Sequence, residues 1–230
     1  MHWGKLYYLD KNLADLNSKS FLKASSLKKM KENIKILVID DEEFPLLENL
    51  KRHEFNITHK SDIDCFTDVE PYHIILCDIN GVGKFLGSTH GGAYLGTQIK
   101  SQYPNKIVIS YSANPASLQE NQNYTIHVDR SLGKGTSIED WASTLTEYVK
   151  QLCDPVNVWK HTVITMINAG ISTARIAEYE SQYVKVILSG KEANLNQLID
   201  SCEQSSEIGE TIMLDTLRFL ASIITYTIKG

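Results

Sequence analysis

The sequence predicts an α/β protein, a doubly wound parallel five-stranded sheet, followed by a small all-α domain. Between residues 34 and 152, short apolar runs alternate with helical segments, which is the pattern of βαβ units. After "CDPVN" at 153–157 the strand signals stop. From there to residue 230 the periodic segments keep helical spacing.

Taken in order, residues 1–33 mix lysines, serines and spaced leucines, with seven lysines against three acids. They read as a basic, partly helical N-terminal extension. "IKILVID" from Ile34 is the first strand, and "EEFPLLENLKRH" the helix after it, with Pro45 near its first turn. "FNITH", "HIILCD", "KIVISYS" and "YTIHVD" are the remaining strands, with "AYLGTQIKSQY" as the helix between the third and fourth. In "SIEDWASTLTEYVKQL", Ile138, Trp141, Leu145 and Tyr148 recur at helical spacing, so one face should be buried and close the domain. The α/β domain is therefore placed at 34–153 and the helical one at 154–230. Pro155 opens the latter, and Gly170 and Gly190 stop two of its helices. Its last segment, "IMLDTLRFLASIITYTI", is apolar around much of its circumference and is expected to need cover from a second copy or a partner protein.

Composition narrows the function. With 42% hydrophobic residues the 230-residue chain can bury packed cores. The longest apolar run near the C-terminus, Phe219 to Ile228, is too short for a bilayer, and no apolar signal segment follows Lys5, so neither membrane insertion nor secretion is expected. Four scattered cysteines fit a reduced, cytoplasmic setting. A net charge of −5 speaks against a general nucleic-acid surface, and residues 155–230 carry eight acids against six bases. "NAGISTARIAEYE" suggests a helix-turn-helix, yet offers only Arg175 to a phosphate. The helical domain therefore reads as a dimerisation or partner-docking module.

In an open parallel sheet the carboxyl ends of the strands converge on one edge, where ligands bind. Those ends supply Asp40 and Asp41, Asp78, and Ser112. Three carboxylates in one pocket repel one another unless a cation sits among them, and an all-oxygen set of this kind suits Mg²⁺. The plainer alternative is that Asp40 and Asp41 cap the next helix and that Asp78 is a turn residue.

The ordered set "ILVIDDE", "IILCDING" and "IVISYSA" resembles the receiver domain of bacterial two-component response regulators, over about residues 34–152. The resemblance implies the receiver or flavodoxin-like fold. It also implies that Asp78 is a phosphoacceptor, that Asp40 and Asp41 hold Mg²⁺ with the backbone carbonyl of Asn80, and that Ser112 is the switch hydroxyl. For the lysine that ends the family's fifth strand two residues compete: Lys134, at a family-like distance from Ser112, is favoured over Arg130, which ends "YTIHVDR". The segment "GVGKFLGSTHGGAYL" is longer and richer in glycine than the family's, and "ANPASLQENQN" should form only a short or irregular helix. The partners implied are a histidine kinase or phosphotransfer protein upstream and a protein downstream, with no nucleic acid and no membrane. A scaffold retaining the fold without phosphorylation is the second reading. A haloacid-dehalogenase-like phosphohydrolase is a third, weakened by "DDEEF" where that family has Asp-x-Asp and a small hydroxyl residue.

Overall fold

The structure is a computed structural model that describes residues 12–16, 27–87 and 91–224. The chain divides into two compact units, one of residues 27–150 and one that joins the N-terminal segment to residues 151 onward. Most of the N-terminal extension lies outside the described residues, as do 88–90 of the glycine-rich segment and the last residues of the chain.

In the α/β unit, helix α1 (Leu27–Asn33) leads into strand β1 (Lys35–Ile39). There follow α2 (Leu47–Arg52), β2 (Asn56–Lys60), a 3-10 turn at Phe66–Val69 and β3 (Ile74–Asp78). Next come α3 (Gly91–Gln102), β4 (Ile107–Ser112), two short helices α4 (Pro115–Glu120) and α5 (Gln122–Thr125), β5 (Arg130–Gly133) and α6 (Ile138–Leu152). The five strands are ordered β2-β1-β3-β4-β5, and every pair is parallel. β1, β3 and β4 are near-continuous apolar runs because helices cover both faces of such a sheet. Leu37, Ile39, Ile75, Cys77 and Val108 meet Leu95 and Ile99 of α3 on one face. Ile36, Val38, Ile74, Leu76, Ile109 and Tyr111 alternate with them and are buried as well. Each such side chain contributes roughly 1.5–3 kcal/mol by leaving water.

One strand differs from the sequence expectation. "YTIHVD" is not the fifth strand: Gln122–Thr125 is a helical turn, Ile126 is exposed, and the strand is Arg130–Gly133. Asp129 explains the shift. Its carboxylate accepts the Val108 N–H at 2.8 Å and pairs with Lys100 at 2.9 Å. This pins the chain beside β4 one residue before pairing begins at Ile109↔Arg130. An edge strand needs little apolar alternation, so "RSLG" carried no signal. The segment after Ser112 does break into two short helices, as its polar composition implies.

The helical unit consists of α7 (Pro155–Asn168), α8 (Thr173–Ser189), α9 (Glu192–Glu203) and α10 (Ile208–Ile224). Asp154 caps α7 by accepting the Val156 N–H at 2.9 Å, with Pro155 at the first helical position, and Gly190 ends α8 in the left-handed conformation. Trp159 and Tyr183 stack at 4.8 Å within a core that includes Met166, Val184, Leu195, Met213 and Leu217. Leu13 and Leu16 pack on the same core, and the Leu13 N–H donates to Glu180 at 3.0 Å. α10 is less uniformly apolar than its sequence suggests: Thr211, Asp215 and Arg218 form one exposed stripe, while Met213, Leu217, Leu220 and Ile223 are buried inside the unit. No helix among the described residues is long and apolar enough to cross a membrane.

Candidate functional site

β1 and β3 end side by side, which places Asp40 and Asp78 next to each other at the carboxyl edge of the sheet. Both are buried, while Asp41 on the following turn is exposed. One oxygen from each of Asp40, Asp41 and Asp78 lies within 4.8 Å of the others. Glycine makes this closeness possible at two points. Gly81 has a φ of +75°, and a Cβ there would run into the Asp41 carboxylate. At Gly92 a Cβ would strike the Asp78 carbonyl oxygen.

Lys134 follows β5 directly and its N–H donates to the Ser112 carbonyl at 2.7 Å. Its ammonium lies 2.7 Å from Asp78 Oδ2 and 3.1 Å from Asp40 Oδ2. Arg130, four residues earlier, is exposed and points to Glu147 at 4.0 Å. Of the two competing cations, the structure brings Lys134 into the cluster and leaves Arg130 on the surface. Asn80 lies in the loop leaving β3, its N–H donating to Asp78 Oδ1 at 3.2 Å and its side-chain amide to Ser112 Oγ at 3.0 Å. Ser112, fully buried, also accepts the Asn114 N–H at 3.1 Å, so its link to Asp78 runs through Asn80.

Burial raises the pKa of Asp78, and the bond from Lys134 only partly offsets it. Burial works against the charge on Lys134, but its bonds to Asp78 and Asp40 outweigh that and raise its pKa. Each group therefore holds its proton more firmly than it would in water. The cluster still has more negative than positive charge.

Three contributors carried no signal that was followed in the sequence. Tyr111, paired with Asp78 in the β3–β4 register, sends its hydroxyl to Asp40 Oδ2 at 2.7 Å. Its signal was a polar-tipped residue inside "IVISYS", which once buried must find an acceptor. Lys84, in the glycine-rich segment, pairs with Asp41 at 3.1 Å. Asp62 anchors that segment by accepting the N–H groups of Gly83 and Lys84 at 2.8 and 2.9 Å.

The sheet order 2-1-3-4-5, with aspartates closing β1 and β3 and a lysine after β5, decides the fold. The α/β unit has the receiver fold. No protein-family model matches the sequence, and no curated protein matches it. Solved structures similar to the receiver unit include a response regulator from Thermotoga maritima, at 15% identity and a TM-score of 0.41, covering 50% of this chain and 97% of that one. The receiver domain of NtrX from Brucella abortus is 19% identical with a TM-score of 0.40, covering 51% and 98% of the two chains. The E. coli RcsC C-terminus, with its linker region and phosphoreceiver domain, is 21% identical with a TM-score of 0.42, covering 53% of this chain and 48% of that one.

Proposed function

We propose that this is a response-regulator-like signalling protein that accepts a phosphoryl group on Asp78 with Mg²⁺, and that its helical unit carries the response through protein–protein contact. The observation that supports this most directly is Lys134, whose ammonium bridges Asp78 and Asp40 inside a group of three carboxylates.

The donor set fits a hard divalent cation, since it is made of carboxylate oxygens and keeps excess negative charge beside its lysines. Asp40, Asp41, Asp78 and the Asn80 backbone carbonyl would hold Mg²⁺, which supplies neutralisation of the incoming phosphoryl charge when bound. An Asp78 carboxylate oxygen attacks the phosphorus of a phosphohistidine on a histidine kinase or phosphotransfer protein. The P–O bond forms as the P–N bond breaks, and the imidazole leaves with the bonding pair. Lys134 holds the acceptor oxygen and offsets the charge that gathers there. Asn80 joins Asp78 to Ser112, so a change at the acceptor is felt at the end of β4. The product stays on the protein, as in a switch, and no external substrate is turned over.

Output through DNA is disfavoured because Arg175, the base of the helix-turn-helix-like stretch, is committed to Glu178, Glu207 and Glu210. Ile164, Ile167, Leu188 and Ile208 are exposed on the helices and are the apolar contacts a second copy or partner protein would cover. Intact-mass measurement after incubation with acetyl phosphate and Mg²⁺ tests the acceptor: one phosphoryl group should be gained by the parent and none by Asp78→Asn. Labelling that persists in Asp78→Asn moves the acceptor elsewhere. A parent that gains nothing leaves the interaction scaffold as the reading, and turnover of a phosphate ester would instead mark a phosphohydrolase. Light scattering of the full chain before and after labelling tests whether the output is self-association.

A further inference from the structure

Tyr111 is completely buried, and its ring lies in a cluster with Phe44 at 5.4 Å and Trp141 at 5.8 Å. Phe44 and Trp141 also meet each other, edge to face, at 5.6 Å. Packing accounts for the ring. It does not account for the hydroxyl, because phenylalanine would fill nearly the same space with no polar atom to satisfy. The hydroxyl donates at 2.7 Å to Oδ2 of Asp40, the fully buried carboxylate of the acidic cluster.

Three donors fix that carboxylate. Tyr111 holds Oδ2, the Glu42 N–H holds Oδ1 at 3.1 Å, and Lys134 reaches both oxygens, at 3.1 and 3.3 Å. Of these only Lys134 is charged, and an ammonium repels a divalent cation entering the same cluster. Tyr111 and the Glu42 N–H are neutral, so they orient Asp40 without opposing a cation. Groups that hold a metal ligand in this way typically carry about 10- to 100-fold of the affinity.

We propose that Tyr111 is a positioning residue of the cation site, its hydroxyl presetting the Asp40 carboxylate and thereby setting Mg²⁺ affinity. This rests on the phosphoacceptor reading above. The β3–β4 register fixes the backbone that carries the hydroxyl, while Phe44 of the β1–α2 loop and Trp141 of α6 pack the ring.

Calorimetric titration of the full chain with Mg²⁺ tests it. Tyr111→Phe should raise the Mg²⁺ dissociation constant about ten-fold or more. Phosphorylation from acetyl phosphate should shift its half-saturating Mg²⁺ by the same factor and return to the parent rate when Mg²⁺ saturates. Trp141→Phe, which loosens the ring cluster and leaves the hydroxyl in place, should lower the thermal midpoint and leave Mg²⁺ affinity within about two-fold of the parent. A parent that binds Mg²⁺ and a Tyr111→Phe protein that binds it equally well overturn the inference while sparing the phosphoacceptor reading. Equal loss of affinity in both variants also overturns it, because packing alone would then explain the effect. A parent that binds no Mg²⁺ overturns both.

Discussion

In the α/β unit two carboxylates, Asp40 and Asp78, are buried beside each other at the end of a sheet, whereas in the helical unit a buried carboxylate, Asp154, caps a helix. Asp154 accepts one orphan N–H of α7, that of Val156, and Pro155 removes another such donor, so the local backbone stabilises its charge. Asp40 and Asp78 also accept one local N–H each, from Glu42 and Asn80, but as two carboxylates buried side by side they need a cation as well. They depend on Lys134, more than fifty residues further along the chain. Several other buried polar groups of the helical unit are neutral and find partners inside it: Thr162 and Thr216 bond each other and the helix turns beneath them, and Tyr183 donates to the Pro155 carbonyl. Burial of a polar group therefore does not by itself mark a site. A buried charge whose partner must come from a distant segment does.

The largest effect should come from removing that distant partner. Lys134→Met leaves two buried carboxylates uncompensated and should cost about 3–5 kcal/mol in urea unfolding of the α/β unit. Mg²⁺ should restore part of the loss. If Lys134→Met is as stable as the parent without Mg²⁺, the two buried carboxylates are no more demanding than Asp154.

Acid should also separate the units. His73 precedes β3, accepts the Lys35 N–H on Nδ1 at 2.9 Å, and is held neutral by burial, with smaller contributions from Lys106 and Lys35, at a pKa of about 4. The unfolded chain binds that proton near the ordinary value of about 6.5, so stability is present above that pH and is lost as pH falls toward 4. The loss should reach about 3 kcal/mol for the α/β unit, from a shift of that size at 1.36 kcal/mol per unit. His73→Asn, which keeps an acceptor for Lys35, should flatten the transition between pH 6.5 and 4. An unchanged pH profile in that variant would assign acid sensitivity to other groups.

Asp154→Ala should cost about 1 kcal/mol, the ordinary value of a lost N-cap, with no response to Mg²⁺. A Mg²⁺-dependent effect there would blur the distinction between the units. The smallest change is expected for Lys84→Ala. This exposed pair with Asp41 should be worth less than about 1 kcal/mol to stability, yet its removal should tighten Mg²⁺ binding about two- to five-fold, because the ammonium competes for the same carboxylate. Weaker binding in Lys84→Ala would show that Lys84 supports the cluster and does not compete for it.

The parts of this arrangement that were legible in the sequence are those in which type and position coincide. Asp40, Asp78 and Ser112 end apolar runs, and a parallel sheet must bring such ends to one edge. β5 was misplaced because its position depends on a side chain, Asp129, pairing with β4, and its own residues carry no pattern. Tyr111 gives no comparable signal, because a strand buried on both faces hides which residue has a polar tip aimed at a neighbour. In α10, Asp215 and Arg218, one turn apart on the same side, give the described part of the helix a wet face.

Trp141 stands near the start of α6, and that helix continues without a break to Leu152. A single helix of that length is a stiff rod of about 22 Å, at 1.5 Å per residue. Leverage follows from its geometry. A tilt of about 5° at the Tyr111 end would carry the far end sideways by about 2 Å over that length. The far end is where the chain passes to Asp154 and Pro155 and begins α7. A rotation too small to disturb packing around the acidic cluster would thus appear at the last turn of α6 as a displacement larger than the length of a covalent bond.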